Sequence, residues 1–290
     1  MYPYKIFGFA SLYGLCIIVG AIICIFVVLP LILKKYNISK KSIDFYQTLG
    51  LVAIALGFVG AWLFQLFYDL IDYGFKLPSD YWRGADGKFA GPGITFLGGL
   101  ITGAATFLIG ALLAKPEVKR EFWIILRAFG SCVAIAHAFG RMGCFFAGCC
   151  YGMHTDGPLA MDMPHGHTDP VTDNYVPCYE SVLPTQLIEA IFLFVLFAVC
   201  FLYTDKSMLI YLFSYGVFRF VLEFFRGDAR AGDTSNFAAL SPSQWISIAM
   251  FVGGFVLLYF DITKGMFKKY VPPAPPTDEQ GELTINETAL

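Results

Sequence analysis

The stretch His137-Ala-Phe-Gly-Arg-Met-Gly-Cys-Phe-Phe-Ala-Gly-Cys-Cys-Tyr-Gly152 sets Arg141 near the end of an apolar run, before a turn rich in glycine and cysteine. A guanidinium inside a membrane segment costs about 2.5 kcal/mol or more unless an anionic or polar group meets it. Four residues of the stretch lack side chains, which lets backbone approach a ligand closely: Gly140, Gly143, Gly148 and Gly152. We interpret the stretch as a pocket wall for an anionic group. The alternative is an arginine that reaches the membrane interface beside a close helix contact.

The composition is that of an integral membrane protein. Hydrophobic residues make up 57% of the 290 residues and charged residues only 14%, whereas about a quarter of the residues in soluble domains are charged. The net charge of −2 comes without a basic patch outside the membrane flanks, so no nucleic-acid partner is expected. No internal repeat or dinucleotide fingerprint is visible, and we expect no cofactor.

Seven apolar stretches are long enough, or nearly so, to cross the ~30 Å of hydrocarbon in a bilayer. They cover residues 7–33, 45–67, 91–114, 122–146, 185–203, 208–225 and 243–262. The sequence therefore predicts an all-α integral membrane protein with seven transmembrane helices. Residues 1–269 form this membrane domain in our prediction, and the Pro-rich, acidic segment 270–290 forms a disordered cytoplasmic tail.

The basic residues predict the orientation. Eleven of them follow the first, third, fifth and seventh stretches, and six lie on the other side. Because cytoplasmic loops carry the excess of Lys and Arg, the N-terminus is predicted to lie outside and the C-terminus inside. The loops 68–90, 147–184 and 227–240 then lie outside, and 147–184 is expected to form an extracytoplasmic head loop over the site.

The sixth stretch carries a second polar group of residues. On a helix, Tyr215, Arg219, Glu223 and Arg226 lie at spacings of four, four and three residues and form one stripe. Arg219 and Glu223 can pair, yet positive charge and a phenol are left over. A phosphate diester in a lipid headgroup suits these donors, since arginine presents a planar fork to phosphate oxygens. The alternative is an internal ion-pair network that only holds helices together.

Several motifs resemble the prolipoprotein diacylglyceryl transferase family. They are Gly140-Arg-Met-Gly-Cys-Phe-Phe-Ala-Gly-Cys-Cys-Tyr-Gly152, Pro184-Thr-Gln-Leu-Ile-Glu-Ala190, Tyr215-Gly-Val-Phe-Arg-Phe-Val-Leu-Glu-Phe-Phe-Arg226, Phe96-Leu-Gly-Gly-Leu100 and Gly60-Ala-Trp-Leu-Phe64. The resemblance implies that the diacylglyceryl group of phosphatidylglycerol moves to the thiol of a lipobox cysteine in a prolipoprotein, and that glycerol phosphate leaves. It also implies seven spans with the site facing the outer side of the bacterial inner (cytoplasmic) membrane, in agreement with the predicted topology.

The resemblance also implies roles for individual residues. Arg141, Tyr215 and Arg219 match the family's essential residues, so the two arginines would hold the phosphate and stabilise charge on the leaving group. The residues expected to bind substrate are Gly140, Gly143, Cys144, Gly148, Gly152, Gln186, Glu223, Arg226, Gly98 and Gly99. An attacking thiol must also become a thiolate, which requires a base or a positive field.

The sequence departs from the family pattern where that base is concerned. Leu97 stands where many members carry a histidine that is a proposed catalytic residue; three further positions also depart, Cys144 for Asn, Trp62 for Arg and Leu183 for His. His137 is a possible substitute, since it lies four residues before Arg141 on one helix face and histidine titrates near neutral pH. Tyr215 is an equal candidate, and the arginine field alone is a third possibility.

The cysteines near the outer face allow two further interpretations. Disulfides persist outside the membrane, so a bond from Cys149 or Cys150 to Cys178 is expected. The spacing of these cysteines and of the nearby histidines (154, 165 and 167) matches no common zinc pattern, so no metal site is predicted. The histidines and aspartates of the head loop are expected to form a solvated cap.

Two alternatives to transfer onto a lipobox cysteine remain open. A non-catalytic lipid-binding or lipid-moving membrane protein would use the same arginine pocket without chemistry, and Leu97 favours it. A transferase of the same fold would use a different thiol, hydroxyl or amine as acceptor.

Overall fold

The computed structural model describes residues 5–6, 10–78, 81–82, 93, 95–168, 175–227 and 240–265. Most of these residues are helical. The α-helices are α1 (Leu12–Ile22), α2 (Leu29–Lys35), α3 (Lys40–Asp72), α4 (Phe96–Leu113), α5 (Pro116–Arg120), α6 (Phe122–Ala147), α7 (Thr185–Leu202), α8 (Ser207–Leu222) and α9 (Pro242–Lys264). A π-helical segment, Ile23–Val28, joins α1 to α2, and 3-10 turns flank α8 at Thr204–Lys206 and Glu223–Phe225.

Six of the helical segments are long and apolar enough to cross a membrane, which makes the protein a multi-pass membrane protein. They are Leu12–Lys35, Lys40–Asp72, Phe122–Ala147, Thr185–Leu202, Thr204–Phe225 and Pro242–Lys264. The third predicted span contains a shorter apolar helix, Leu97–Leu113. Each of the seven predicted stretches thus holds a helix, although the bounds differ by several residues.

Local capping explains some of these differences. The helix α3 begins five residues before the predicted stretch because the Ser39 side chain accepts a hydrogen bond from the Ser42 N–H at 3.3 Å. At the start of α9, Ser241 and Gln244 form a capping box ahead of the helix, with Pro242 in its first turn. The first span begins at Leu12 rather than at residue 7, after a short antiparallel pair of strands, β1 (Lys5–Ile6) and β2 (Ala10–Ser11).

The helices α3 and α4 pack closely along a line of glycines. A Cβ at Gly99 would lie 3.2 Å from the Gly57 carbonyl oxygen, and a Cβ at Gly98 would lie 2.4 Å from the Phe64 Cβ. Small residues at such positions let two membrane helices approach each other closely. Gly98 and Gly99 therefore face α3, and their expected contact with substrate stays a prediction.

One end of the bundle is held by polar contacts around Asp205. Its carboxylate accepts a hydrogen bond from the Tyr36 hydroxyl at 2.9 Å and lies 3.7 Å from Nη1 of Arg127. The Ser207 hydroxyl donates to the Arg127 carbonyl. Arg127 thus belongs to this end of the bundle.

The opposite end gathers the C-termini of α6 and α8 and the N-termini of α7 and α9. The Gly152 N–H donates to the Leu183 carbonyl at 2.8 Å, and the Met153 N–H donates to the Phe225 carbonyl at 2.9 Å. The segments after α6, before α7 and after α8 therefore meet at one place, which is where the predicted head loop begins and ends.

The head loop is not wholly irregular. It contains an antiparallel hairpin of β3 (Met161–Thr168) and β4 (Tyr175–Val182), which was not predicted from the sequence; the solvated cap stays a prediction. Met163 on β3 and Val182 on β4 are buried, and this burial gives the hairpin a packed face against the bundle. The predicted tail 270–290, most of the loop 227–240 and the segment 83–92 lie outside the described residues.

Candidate active site

The C-terminal half of α6 presents three polar side chains on one face. His137, Arg141 and Cys144 lie at spacings of four and three residues, which places them one above the other along the helix. The helix ends at Gly148, whose φ of 65° lies in the left-handed region that favours glycine. This turn directs the chain from α6 back over its own last turn and toward α7.

Glu189 on α7 is the centre of the site. Its side chain is only 1% exposed, and Nε of Arg141 lies 2.9 Å from its Oε1. The Tyr215 hydroxyl donates to the same oxygen at 2.7 Å, while Nη1 of Arg219 lies 3.6 Å from Oε2. Nε2 of His137 lies 3.8 Å from Oε1. Both predicted arginines and both candidate bases therefore converge from two helices, α6 and α8, on one buried carboxylate of a third, α7.

Glu189 was not singled out from the sequence, although a signal for it existed. It stands inside the apolar run 185–203, three residues after Gln186, so both side chains lie on one helix face. An ionisable residue within a membrane segment marks a functional site by default. The spacing alone did not reveal which side chains would meet it.

A second carboxylate, Glu223, joins Arg219 to Arg226. Nη2 of Arg219 donates to Oε2 of Glu223 at 2.6 Å, and this is the pair that the helical spacing predicted. Nε of Arg226 lies 3.8 Å from the same oxygen, and the Ser241 hydroxyl donates to Oε1 at 2.9 Å. Nη2 of Arg219 also donates to the Ser243 hydroxyl at 3.2 Å, so the start of α9 braces this arginine.

The charges of this group do not cancel. Three arginines (141, 219 and 226) face two glutamates (189 and 223), which leaves one positive charge while His137 is neutral. Nε of Arg141 and Nη1 of Arg219 are buried and approach Glu189 outside hydrogen-bonding geometry. Within the described residues, the site thus keeps donors and one net positive charge for an anion.

His137 lies between two tyrosines rather than facing the arginines alone. Its Nδ1 is 3.1 Å from the Tyr211 hydroxyl and its Nε2 is 3.5 Å from the Tyr215 hydroxyl. Since Tyr215 donates its own proton to Glu189, its oxygen can only accept from Nε2–H. The lone pair of a neutral His137 is then on Nδ1, toward Tyr211.

The glycines of the α6 stretch differ in what surrounds them. A Cβ at Gly140 would meet nothing within 4 Å, so this position is open to a ligand. A Cβ at Gly143 would meet Tyr13 at 3.1 Å, and one at Gly152 would lie 2.7 Å from the Phe225 carbonyl oxygen. Protein atoms therefore fill the space at Gly143 and Gly152, and Gly148 forms the left-handed turn after the helix. Of these four glycines, only Gly140 has room for a ligand to approach the backbone.

The cysteine turn is held by the start of α7. Nε2 of Gln186 donates to the Cys149 carbonyl at 2.8 Å, and the Thr185 hydroxyl donates to the Cys150 carbonyl at 3.0 Å. Gln186, predicted to bind substrate, therefore binds the backbone of the turn.

The thiols of this turn are close together. The predicted disulfide to Cys178 is wrong, because Cys149 and Cys150 are free and their sulfurs lie within 4.8 Å of each other and of Cys144. Hydrogen bonds with Cys144 and Cys149 and with Arg226 lower the pKa of the Cys150 thiol. Hydrogen bonds with Cys144 and Cys150, together with burial, raise the pKa of the Cys149 thiol.

Comparisons with known proteins agree with the motifs. A family model described as prolipoprotein diacylglyceryl transferase matches residues 5–260. The phosphatidylglycerol–prolipoprotein diacylglyceryl transferase of Clostridium tetani is 28% identical over 89% of this chain and 96% of its own length. The enzyme of the same name from Pasteurella multocida is 31% identical over 70% of this chain and 72% of its own length. Phosphatidylglycerol–prolipoprotein diacylglyceryl transferase 2 of Clostridium perfringens is 32% identical over 60% of this chain and 65% of its own length.

Proposed function

This chain belongs to the prolipoprotein diacylglyceryl transferase family, and on that premise we propose that it transfers the diacylglyceryl group of phosphatidylglycerol to the thiol of a prolipoprotein lipobox cysteine. Glycerol phosphate is the leaving group. The acceptor sulfur attacks carbon 3 of the diacylglyceryl group, and the bond between that carbon and the phosphate oxygen breaks. The thiol proton is released, so atoms and charge balance.

The observation that carries this proposal is the convergence of Arg141 and Arg219 on Glu189. The side chains come from α6 and α8 and meet at one buried carboxylate, within a group of three arginines and two glutamates. Phosphatidylglycerol carries one negative charge on its phosphodiester, so donor and site are complementary. The planar guanidinium is suited to two phosphate oxygens at once.

The same arginines would act on the leaving group. When the ester bond breaks, the phosphate gains negative charge and becomes a monoester with a second pKa of about 6. Buried, preorganised donors stabilise such developing charge without reorganising, and each is typically worth a factor of about 10²–10³ in rate. Glu189 and Glu223 hold the two guanidinium groups in place before the lipid arrives.

The orientation of the site follows from the distribution of lysines and arginines. Under the positive-inside rule the end of the bundle that carries Arg141, Arg226 and the β3–β4 hairpin faces outward from the bacterial cytoplasmic membrane. In this topology the seven helical segments cross the bilayer, and α4 and α7, with 18 residues each, are the shortest spans. The lipid donor and the lipobox segment would then reach the site laterally from the outer leaflet.

The sequence leaves the deprotonating group of the reaction open. Leu97 on α4 cannot take a proton, and Tyr215 already donates to Glu189. The lone pair of His137 faces Tyr211, which favours a positioning role in which His137 and Tyr215 hold Glu189 against the arginines. His137 as the base stays one of three candidates, beside Tyr215 and the arginine field alone.

One competing function has an observation in its favour. A phospholipid-binding protein without chemistry would need the arginine site and no base, and Leu97 fits that description. A transferase of this fold with a different acceptor would keep the donor site and change only the group that is modified.

The experiment is a transfer assay with the purified full chain in vesicles that contain phosphatidylglycerol labelled in its acyl chains. A lipobox peptide with cysteine is the acceptor, and a peptide with serine at that position is the control. Arg141→Gln and Arg219→Gln are expected to lower transfer about 10²–10³-fold. The matched control is Arg127→Gln, because Arg127 lies on the same helix and pairs with Asp205 instead.

Each outcome of this assay decides between the functions. Transfer to the cysteine peptide that is lost in both site variants and kept in Arg127→Gln supports the proposal. Binding of phosphatidylglycerol without transfer to the peptide contradicts it. In a second assay, a bacterium depleted of its own transferase receives the wild type or Arg127→Gln; failure of both to restore growth also contradicts it. Transfer to the serine peptide alone would indicate the different acceptor.

A further inference from the structure

Three thiols of this chain form a cluster that the proposed function does not use. The sulfurs of Cys144, Cys149 and Cys150 all lie within 4.8 Å of one another. Cys144 projects from the last turn of α6, and the other two follow the left-handed Gly148. Four residues separate Cys144 from Cys149, and Cys150 follows directly; this spacing resembles no common zinc motif. The three sulfurs come together because the chain reverses its direction after α6.

The turn that carries the thiols is held in shape by its neighbours. Cys150 has a φ of 66°, a left-handed conformation that a non-glycine residue seldom adopts. The Cys149 N–H donates to the Cys144 carbonyl at 3.2 Å. Hydrogen bonds from Gln186 and Thr185 hold the carbonyls of Cys149 and Cys150. These supporting contacts orient the three side chains in the way that the outer shell of a metal site orients its ligands.

The chemistry of the three donors selects the class of ligand. Thiolates bind borderline or soft cations such as Zn²⁺ and disfavour Mg²⁺ and Ca²⁺, which prefer oxygen. With Zn–S bonds of about 2.3 Å, three sulfurs of a tetrahedral site stand about 3.8 Å apart, which small side-chain rotations reach from the present positions. Three protein ligands and one open position are typical of catalytic rather than structural zinc.

The charges around the cluster also suit a zinc–thiolate centre. Three thiolates and one Zn²⁺ carry a net charge of −1. The Arg226 and Arg141 guanidinium groups lie near these thiols. The same two guanidinium groups pair with Glu189 and Glu223, so the thiol cluster adjoins the proposed phosphate site.

We propose that Cys144, Cys149 and Cys150 bind one Zn²⁺ whose fourth position receives the acceptor thiol. The inference rests on the proposed function and supplies the thiolate for which Leu97 leaves no base. A thiol that coordinates zinc is deprotonated outright, and its proton passes to water. The bound sulfur then attacks carbon 3 of the diacylglyceryl group, and the electron pair of the broken C–O bond leaves on the phosphate oxygen held by Arg141 and Arg219.

Zinc content of the purified full chain is the first test. One zinc per chain is expected for the wild type, and none for Cys144→Ser, Cys149→Ser or Cys150→Ser. The matched control is Cys200→Ser, whose hydroxyl can keep the bond that the Cys200 thiol donates to the Ser207 carbonyl at the other end of α7. Melting temperatures of the four variants show whether each one folds. Zinc well below one per chain in the wild type, zinc in the three cluster variants equal to that of the wild type, or a disulfide within the cluster would overturn the inference.

The open position is tested by replacing zinc with Co²⁺. A thiolate-to-cobalt charge-transfer band is expected, and the visible cobalt spectrum should change on addition of the cysteine lipobox peptide and not of the serine peptide. A cobalt spectrum that does not change on addition of the cysteine peptide would overturn the inference that the fourth position binds the acceptor thiol.

Measuring transfer with and without zinc separates this inference from the proposed function. Removal of zinc by a chelator is expected to lower transfer at pH 7 about 30-fold, because a free thiol with a pKa of ~8.5 is only about 3% ionised there. Added Zn²⁺ should restore it. Full transfer by zinc-free protein overturns the zinc inference and leaves the transferase intact, whereas stoichiometric zinc without any transfer overturns the proposed function and leaves the metal site intact.

Discussion

The Arg141 guanidinium and the Glu189 carboxylate form a buried ion pair in which Nε lies 2.9 Å from Oε1. The pair joins α6 to α7 at the depth where Arg219 reaches the same carboxylate from α8. Glu189 thus lies between the two arginines, and Glu223 holds Arg219 from its other side at 2.6 Å, so both guanidinium groups are positioned before an anion arrives. The predictions below follow from that arrangement.

Glu189→Gln removes the negative charge that both arginines share. Breaking a buried pair by deleting one partner costs about 3–5 kcal/mol, so a clear drop in the thermal unfolding midpoint is expected. The remaining positive charge would hold lipid and product more tightly, so kcat should fall while KM for phosphatidylglycerol stays level or decreases. Glu180→Gln, at a half-exposed carboxylate of the hairpin, is the control. A higher KM with unchanged kcat would contradict this account.

Tyr215→Phe removes the hydrogen bond that the phenol donates to Glu189 at 2.7 Å. A hydrogen bond to a charged group is worth about 1.5–3 kcal/mol, so transfer should decrease about 10- to 100-fold. Tyr211→Phe keeps the ring and removes only the hydroxyl that faces Nδ1 of His137. Steady-state kinetics should therefore show a smaller loss for Tyr211→Phe, and equal losses in both variants would count against the central place of Glu189.

His137→Asn tests the base directly. Asparagine can replace the hydrogen bonds at the ring nitrogens but does not titrate. If the histidine only positions Tyr215 and Glu189, transfer should fall by no more than about tenfold and the pH profile of kcat/KM should keep its shape. Disappearance of the acidic limb of that profile would instead make His137 the base.

Gly152→Ala and Gly140→Ala separate packing from ligand approach. An added Cβ at Gly152 would lie 2.7 Å from the Phe225 carbonyl oxygen and 2.8 Å from the Leu183 carbonyl oxygen. Forcing it in should cost about 1–3 kcal/mol and displace Arg226, which pairs with Gly152 in a β-bridge. Gly140→Ala meets nothing within 4 Å, so it should leave the melting temperature unchanged and raise KM for the lipid. A melting temperature lowered equally in both would rule out this distinction.

Much of the helical framework was predictable because it depends on local properties. The hydropathy of each stretch and the caps at Ser39 and Ser241 act within a few residues, so the sequence reveals helices close to their observed positions. The stripe of Tyr215 and Arg219 on α8 and Glu223 in the turn that follows was predicted from the 3.6-residue period of a helix, and the expected pair of Arg219 and Glu223 is present at 2.6 Å. Where strands pair across the head loop, periodicity in a short polar segment was too weak to show them.

What the sequence by itself determined, then, is the class of protein, the helices and the residues that share one face of a helix, because these depend on neighbours along the chain. Only the tertiary structure decided that Glu189 joins the two arginines, that Gly152 is enclosed by protein, and that the thiols of Cys149 and Cys150 meet that of Cys144. Those contacts depend on how α6, α7 and α8 pack and on two left-handed residues in one turn. Residue spacing along one helix does not reveal such distances, since side chains far apart along the chain meet only once the helices have packed.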